Sequence, residues 1–345
     1  MPTLRSIAFV NNKGGVGKTT LLCNIAFHLS QSRTRRVLVI DLDPQCNASQ
    51  LLLSEQQWED VFGGSSKAAR QTIWKVWSNF RRGDSGIDRD YVVHQSERFQ
   101  VDVLVGHPSM SLMEDGLSNA WQEMSRGELG GLRRSLWLRS LVDTLRGTYE
   151  YVLIDAGPSL GALNRTVVLG VGGLVTPAAA DLFSVYALDN IRTWLNEWSE
   201  TLTDGVERAR KRFDTDVEDI LGDSLGPLQG AAYLGYTVQQ YVTKSMQGGE
   251  RRGTNAYDLY KKQIPDKARA LAEATQSQTD HLELGTVPYM FSMVPLAQAA
   301  HAPIGTLTPE DGVRGAQFSQ QSKYRDQLAL LGESVERASA RVIGT

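Results

Sequence analysis

Cysteine is nearly absent from this 345-residue chain, which has only Cys23 and Cys46. Two thiols cannot build a disulfide framework or a four-thiolate cluster, so a stapled secreted scaffold is excluded and both are expected to be reduced bystanders. Histidine is scarce as well. The five, His28, His94, His107, His281 and His301, show no paired metal-ligand spacing, which favours packing or surface roles. No charge of one sign dominates, because 36 Lys and Arg stand against 39 Asp and Glu, a formal net charge of −3. Attraction to nucleic acid must therefore come from a local patch. No run approaches the length of a membrane span, and no charged-then-apolar leader precedes the first strand at Ser6. The expectation is a cytoplasmic protein with no membrane partner. Internal repeats and long low-complexity segments are missing too.

Glycine is where the sequence becomes specific. Residues 11–20 read Asn-Asn-Lys-Gly-Gly-Val-Gly-Lys-Thr-Thr. They lie between an apolar run, Ser6 to Val10, and a stretch from Thr19 to Ser30 with Leu22, Ile25, Ala26 and Leu29 at helical spacing. A strand–loop–helix unit is the context in which glycine amides curl around phosphate, with the helix dipole aimed at the same anion. The predicted phosphate-binding set is Gly14, Gly15, Val16, Gly17, Lys18, Thr19 and Thr20. Lys18 would bridge the terminal phosphates of the guest and the Thr19 hydroxyl would coordinate Mg²⁺. The match to G-x-x-x-x-G-K-[ST] is imperfect, because Asn12 stands at the first glycine. Instead the loop carries a second lysine, Lys13. It sits too early to reach its own phosphates by the route Lys18 takes. A cation there makes best sense reaching a nucleotide in a second subunit, as an arginine finger does in trans.

Strand candidates are Ser6 to Val10, Arg36 to Ile40, Phe99 to Val105, Tyr151 to Ile154, Leu174 to Pro177, Tyr233 to Gln239 and Leu282 to Val287, with helical stretches between them. This alternation predicts an α/β fold: a doubly wound, mostly parallel sheet with helices on both faces, in a single domain over residues 1–345. Residues 58–95 and 204–228 look inserted. The second mixes Arg208, Arg210, Lys211 and Arg212 with Asp214, Asp216, Glu218 and Asp219, and reads as a solvated helix and loop.

Ligands of such a sheet sit outside the carboxyl ends of its strands. Two apolar runs end there in acids: Val37 to Ile40 enters Asp41-Leu42-Asp43-Pro44-Gln45, and Tyr151 to Ile154 enters Asp155-Ala156-Gly157-Pro158-Ser159. Asp155 has the position of a Walker B aspartate, which helps to hold Mg²⁺. Asp41 and Asp43 are expected to point in opposite directions along an extended backbone and to divide the work. Asp41 is placed near the magnesium shell, and Asp43 is expected to orient the attacking water.

The stretches Lys-Gly-Gly-Val-Gly-Lys-Thr-Thr, Val-Leu-Val-Ile-Asp-Leu-Asp-Pro-Gln-Cys-Asn-Ala-Ser and Tyr-Val-Leu-Ile-Asp-Ala-Gly-Pro-Ser-Leu-Gly resemble the ParA/MinD group of deviant Walker A ATPases, closest to the ParA partitioning branch. Val103 to Ser109, Thr176-Pro177 through Asp181 to Val185, and Pro295 to Ala299 with Ala302 to Ile304 agree with it. The resemblance implies an ATP-dependent sandwich homodimer in which Lys13 crosses the interface and hydrolysis resets the dimer. There are departures: Cys46 stands where that branch usually has glycine, and Gly157 stands where a second proline is common. The family's adenine-recognising asparagine is replaced by Gln239 or Gln240, and Gln239 presents the same amide groups one methylene further out.

The resemblance also implies non-specific DNA binding through basic residues of the C-terminal half. The segment from Lys244 to Arg269 holds Lys244, Arg251, Arg252, Lys261, Lys262, Lys267 and Arg269 against only Glu250, Asp258 and Asp266. Phosphate contacts need charge more than reading geometry, so Lys244, Arg251, Arg252, Lys261 and Lys262 are the DNA-binding candidates. Sequence-specific operator reading is not expected. Ile73, Trp74, Val76, Trp77 and Phe80 form a bulky helical stripe, expected to pack on the protein's own body, with a partner-docking surface as the sharper alternative. The C-terminal stripe Tyr324, Leu328, Leu331, Val335, Ala338 and Val342 is interrupted by acids and is expected to pack on the sheet.

The reading is a ParA-type ATPase that partitions or positions DNA or another cargo. Its partners would be nucleoid DNA and a stimulating adaptor or centromere-binding-type protein. The competing reading is an ATP-dependent switch subunit that controls a separate effector without partitioning DNA. An iron-protein-like enzyme is disfavoured, since neither cysteine follows Asp155.

Overall fold

The run Val37 to Ile40 and the run Tyr151 to Ile154 are apolar without alternation, as strands covered on both faces must be. Both lie in the middle of the sheet. The computed structural model describes residues 3–32, 34–64, 70–159, 161–222, 230–240, 255–279 and 281–343. The chain runs β1 (Arg5–Phe9), α1 (Lys18–Ser30), β2 (Val37–Asp41), α2 (Asn47–Leu52), α3 (Glu55–Phe62), α4 (Ile73–Val76), α5 (Ser78–Arg82), β3 (His94–Ser96) and β4 (Val101–Leu104). It continues through α6 (Met113–Ser125), α7 (Leu129–Ser135), α8 (Trp137–Thr144), β5 (Tyr151–Asp155), α9 (Ala162–Gly170), β6 (Gly173–Ala179) and α10 (Leu182–Leu221). The last elements are β7 (Ala232–Gln239), α11 (Asn255–Ala274), β8 (Glu283–Val287), α12 (Met293–Ala299) and α13 (Gln317–Val342).

The sheet has the order β3-β4-β2-β5-β1-β6-β7-β8, and every neighbouring pair is parallel except β3 with β4. The β2–β5 register sets Asp41 directly opposite Asp155, and the β1–β5 register sets Phe9 opposite the same aspartate. Two carboxylates are thus carried to the end of adjacent strands, about 4.8 Å apart in the backbone, where the loop after β1 begins.

Alternation along the strands divides the core. Ala8, Leu38, Ile40, Val152 and Ile154 face one layer, with α8, α9 and α10. Ile7, Phe9, Val37, Val39 and Leu153 face the other, covered by α1, α12 and α13. The aromatic stripe belongs to the first layer: Ile73, Trp74, Val76 and Trp77 are buried, and Trp77 meets Trp137 edge-on at 5.7 Å. Its packing on the body of the protein takes these four side chains out of the exposed surface. The C-terminal stripe also packs inward, with Tyr324, Leu328, Leu331, Val335 and Ala338 buried in the second layer.

The segment expected to be a solvated helix and loop behaves differently. As far as Leu221 it continues α10, a helix of 40 residues that departs from helical geometry only at Phe213. Val206, Ala209, Val217 and Leu221 are buried in a satellite core with Met124, Leu132, Leu136, Leu169 and Leu202. The charges coat the opposite side of an amphipathic helix whose apolar stripe α6 and α7 cover. Among the described residues no helix is long and apolar enough to cross a membrane.

Candidate active site

Gly15 and Gly17 adopt φ of 77° and 71°, the left-handed region that glycine enters without steric cost. A Cβ added to Gly14 or Gly15 would meet nothing within 4 Å, so the loop encloses open space. Gly17 is the N-cap of α1 and supplies no side-chain cap, which leaves the first amides of the helix free to bind an anion. Val16 and Lys18 are buried at the base of the cradle, and the Thr20 carbonyl accepts from Asn24 Nδ2 at 2.8 Å within α1.

Lys18 Nζ lies 4.0 Å from Asp155 Oδ1, and Thr19 Oγ1 donates to Asp155 Oδ2 at 2.7 Å. Asp155 is fully buried, yet its Oδ1 accepts no hydrogen bond. A buried carboxylate oxygen with no donor, beside a threonine hydroxyl at a phosphate cradle, suits a hydrated Mg²⁺. No group of three or more His, Cys, Asp or Glu among the described residues forms a self-sufficient metal cage. A magnesium ion held mainly by phosphates and one or two protein oxygens needs none.

Asp41 is also fully buried, and its carboxylate is already engaged. Oδ2 accepts from the Ser49 amide at 2.8 Å and from Ser49 Oγ at 2.7 Å, while Oδ1 accepts from the Asp43 amide at 3.1 Å. The carboxylate faces the start of α2 and Gly106, so it stands behind the site. The expected opposition of Asp41 and Asp43 fails at its premise, since residues two apart on a strand share a face. β2 ends at Asp41, and the turn that follows is what separates them. Asp43 is 5% exposed and accepts from the Gln45 amide at 2.9 Å. Its Cγ lies 3.7 Å from where a Cβ on Gly157 would sit, which places it on the Asp155 side. Burial, then repulsion from Asp155, pushes the Asp41 carboxyl above its usual range. Burial also raises that of Asp155, against the opposing pull of Lys18 and the Thr19 hydrogen bond.

Lys13 is not in the cradle. Its Nζ pairs with Asp181 Oδ2, and its amide donates to Asn11 Oδ1 at 2.8 Å. Asn11 Nδ2 in turn donates to the Pro177 carbonyl at the end of β6. Asp181 is the N-cap of α10, its Oδ1 accepting from the Ser184 amide at 2.9 Å. Gln239 ends β7 with its amide over the loop: Nε2 lies 3.4 Å from where a Gly17 Cβ would be. The structure thus gathers Lys18, Thr19, Asp155, Asp43 and Gln239 at one cradle, with Asp41 behind it and Lys13 at its rim.

Asn11, Gly106 and Asp181 escaped the sequence reading as functional residues. The Asp-x-x-Ser pattern before an apolar helix was the available signal for Asp181, but it marks only a cap. Cys46, the departure from glycine, adopts φ of 56° and is buried, its thiol pushed far above the usual range by burial, then by Asp41 and Asp43. It is an inert thiol in a backbone slot that glycine fits without strain.

Lys244, Arg251 and Arg252 lie outside the described residues. Lys261 and Lys262 are exposed on α11 and line a cleft of about 380 Å³ with Asp258, Tyr236 and Glu283. Lys267 is committed to Asp189 of α10 at 2.7 Å, and Arg269 to Asp266 at 3.3 Å. The local basic excess is therefore smaller than composition implies.

Residues 4–207 match the family described as AAA domain. The chain is 28% identical over 193 residues to a virulence plasmid ParA family protein, pGP5-D, of Chlamydia muridarum, covering 56% of this chain and 62% of that protein. It is 29% identical over 187 residues to the chromosome partitioning protein ParA of Myxococcus xanthus, covering 54% and 56%. With an uncharacterized Pseudomonas putida protein, 27% identical over 221 residues, the share of the relative covered is 65%. Each match spans less than two thirds of the relative's length. Among solved structures, protein DIP2308 from Corynebacterium diphtheriae is 34% identical with a TM-score of 0.73, covering 86% of this chain and 97% of that one. The ATP complex of a McdA variant from Cyanothece has a TM-score of 0.59 at 18% identity over 98% and 97% of the chains, a likeness of fold.

Proposed function

Because the chain belongs to the AAA-domain family and to the ParA/MinD group of P-loop ATPases, we propose that it hydrolyses ATP as a nucleotide-gated homodimer that holds DNA non-specifically and positions DNA or another cargo. One observation carries the proposal: Lys18, Thr19 and Asp155, whose buried Oδ1 accepts no hydrogen bond, meet at a single open glycine cradle.

That geometry supports the following roles. The amides of Gly14 to Lys18 bind the phosphate oxygens, and Lys18 neutralises charge on the terminal ones. Thr19 and Asp155 hold Mg²⁺, which when bound neutralises phosphate charge as the terminal phosphoryl leaves. Asp43 orients the attacking water, and Asp41 supports it from behind by fixing the Asp43 amide. Gln239 reads the base edge on the other side of Gly17.

The dimer has its own support. Leu112, Leu182, Phe183, Tyr186, Tyr289 and Phe291 are six of the ten exposed large apolar side chains among the described residues. All six lie in segments that follow the carboxyl ends of β4, β6 and β8, the edge of the sheet where the cradle opens. Apolar surface gathered around a nucleotide site favours closure by a second copy. In that closure Lys13 would exchange Asp181 for phosphate across the interface. DNA binding rests on Lys244, Arg251, Arg252, Lys261 and Lys262, and a stimulating adaptor is the remaining partner. The competing switch-subunit reading, with the aromatic insert as its contact, has less support, since Trp74 and Trp77 are buried.

Sedimentation with ATP tests the assembly. Lys13→Ala should bind nucleotide as a monomer, and Asp43→Ala should dimerise without turning ATP over; a dimeric Lys13→Ala protein would refute the trans role. Random duplex DNA should bind only the ATP form. Replacing both Arg251 and Arg252 by Ala should flatten the salt dependence by about 0.9 log units per lost phosphate contact. Unchanged binding would remove those two arginines from the interface.

A further inference from the structure

The loop leaving β5 begins in the interior, where Ala156 and Gly157 are buried and Gly157 lies beside Asp43, so the carbonyls there must be satisfied. One side chain does most of this. Asn164, in the first turn of α9 and 1% exposed, donates through Nδ2 to the Gly157 carbonyl at 2.7 Å and also to the Ser159 carbonyl. Both hydrogens of a single amide group are used on two carbonyls of one short loop. Helical side chains lean toward the helix N-terminus, which is why a residue on α9 reaches back over the segment before it.

The anchor is itself anchored. Glu114 of α6 accepts from the Leu163 amide at 3.2 Å. Its carboxylate lies 2.6 Å from where a Cβ on Gly161 would sit, so glycine there leaves room for the Glu114 side chain in this position. On the far side of the loop, Gly157 abuts the Asp43 carboxyl. The peptide between Ala156 and Pro158 is thus gripped between a fixed helix and the carboxylate that faces the water.

We infer that Asn164 is a positioning residue: by tying Gly157 and Ser159 to α9 it holds the loop after Asp155 against Asp43, and so sets where the attacking water is oriented. The inference rests on the role proposed for Asp43. The amide of Asn164 is spent on the Gly157 and Ser159 carbonyls, so it acts through the loop. Leucine keeps the branched heavy-atom skeleton but is bulkier and has no donor, aspartate would turn an acceptor toward two carbonyls, and glutamine carries the donor one methylene further out.

Two readouts on Asn164→Leu test this. Amide hydrogen exchange of Ala156, Gly157 and Ser159, measured without nucleotide, should accelerate at least tenfold while β5 stays protected. ATP turnover should fall at least tenfold with the dissociation constant for ATP within threefold of wild type, and Asn164→Gln should recover part of the rate. Unchanged exchange or unchanged turnover overturns the inference. A parallel loss of melting temperature, ATP affinity and rate would also overturn it, since that pattern marks a purely structural residue. Wild-type protein that binds ATP without turning it over would overturn the ATPase reading and the positioning role with it, a result distinguishable by the wild-type arm alone.

Discussion

Asp181→Asn should tighten the ATP-dependent dimer. Asparagine caps a helix as well as aspartate does, so the bond from the Ser184 amide survives while the charge opposite Lys13 is lost. The two side chains are 34% and 31% exposed, which puts the pair in the class of partly solvated ion pairs. Such pairs contribute about 0.2–1 kcal/mol each. A symmetric dimer that recruits Lys13 in trans breaks two of them, costing about 0.4–2 kcal/mol in all. Removing that cost should lower the dimer dissociation constant by about 2- to 30-fold. The assay is sedimentation velocity across a concentration series with a non-hydrolysable ATP analogue, at low salt and again at about 0.5 M, where screening should shrink the difference. Asp181→Ala serves as the contrast, because it also gives up the cap and about 1 kcal/mol of helix stability. An Asp181→Asn dimer no tighter than wild type would show that the pair does not compete with assembly.

Three further results are expected. Asp41→Asn should change the pH dependence of stability in nucleotide-free protein. Its carboxyl and that of Asp155 are raised from 3.8 to about 7 and about 6, so the native state holds extra protons in that window. Stability is then present at low pH and lost as pH rises through it. The variant should lose about 1–3 kcal/mol less than wild type between pH 4 and 7.5, as denaturant unfolding would report, and identical slopes would contradict the shift. Trp77→Ala should cost about 3–5 kcal/mol, since the indole is 5% exposed against Trp137; a loss under 1 kcal/mol would mean that the insert does not share the core. Gly106→Ala would set a Cβ 3.0 Å from Asp41 Cγ and 3.1 Å from Cys46 Sγ. It should destabilise by about 1–3 kcal/mol and lower turnover more than ATP affinity, and a neutral variant would show that Asp41 can move freely.

The parts of this protein that were legible in its sequence are those specified locally. The cradle could be read because glycine enters the φ of Gly15 and Gly17 without steric cost, and because the strand and helix flanking it carry their own periods. Seven strands could be placed because a buried parallel strand needs an unbroken apolar run. β3 could not: three residues, His94 to Ser96, at an antiparallel edge carry no such run. The fate of the aromatic stripe was undecidable locally, since a stripe of that kind looks the same whether a protein's own sheet or a partner covers it. The segment after Asp204 misled because its charges outnumber its apolar residues, although Val206, Ala209, Val217 and Leu221 return to one face. Asp41 was assigned from its place at a strand end, but the donors that occupy it come from Ser49 and from the turn. The pairing of Lys13 with Asp181 spans 168 positions and is created only by the adjacency of β1 and β6.

The length of α10 gives the fate of Lys13 a mechanical reach. From Leu182 to Arg212 the helix is uninterrupted, an arm of about 46 Å. Its first turn is pinned by the same aspartate that holds Lys13, and its far half carries α6 and α7 through their common apolar core. A rotation of about 5° at the pinned end sweeps the distal end through about 4 Å. If assembly draws Lys13 away from Asp181, a turn at that end of α10 would reach the core it shares with α6 and α7 as a displacement.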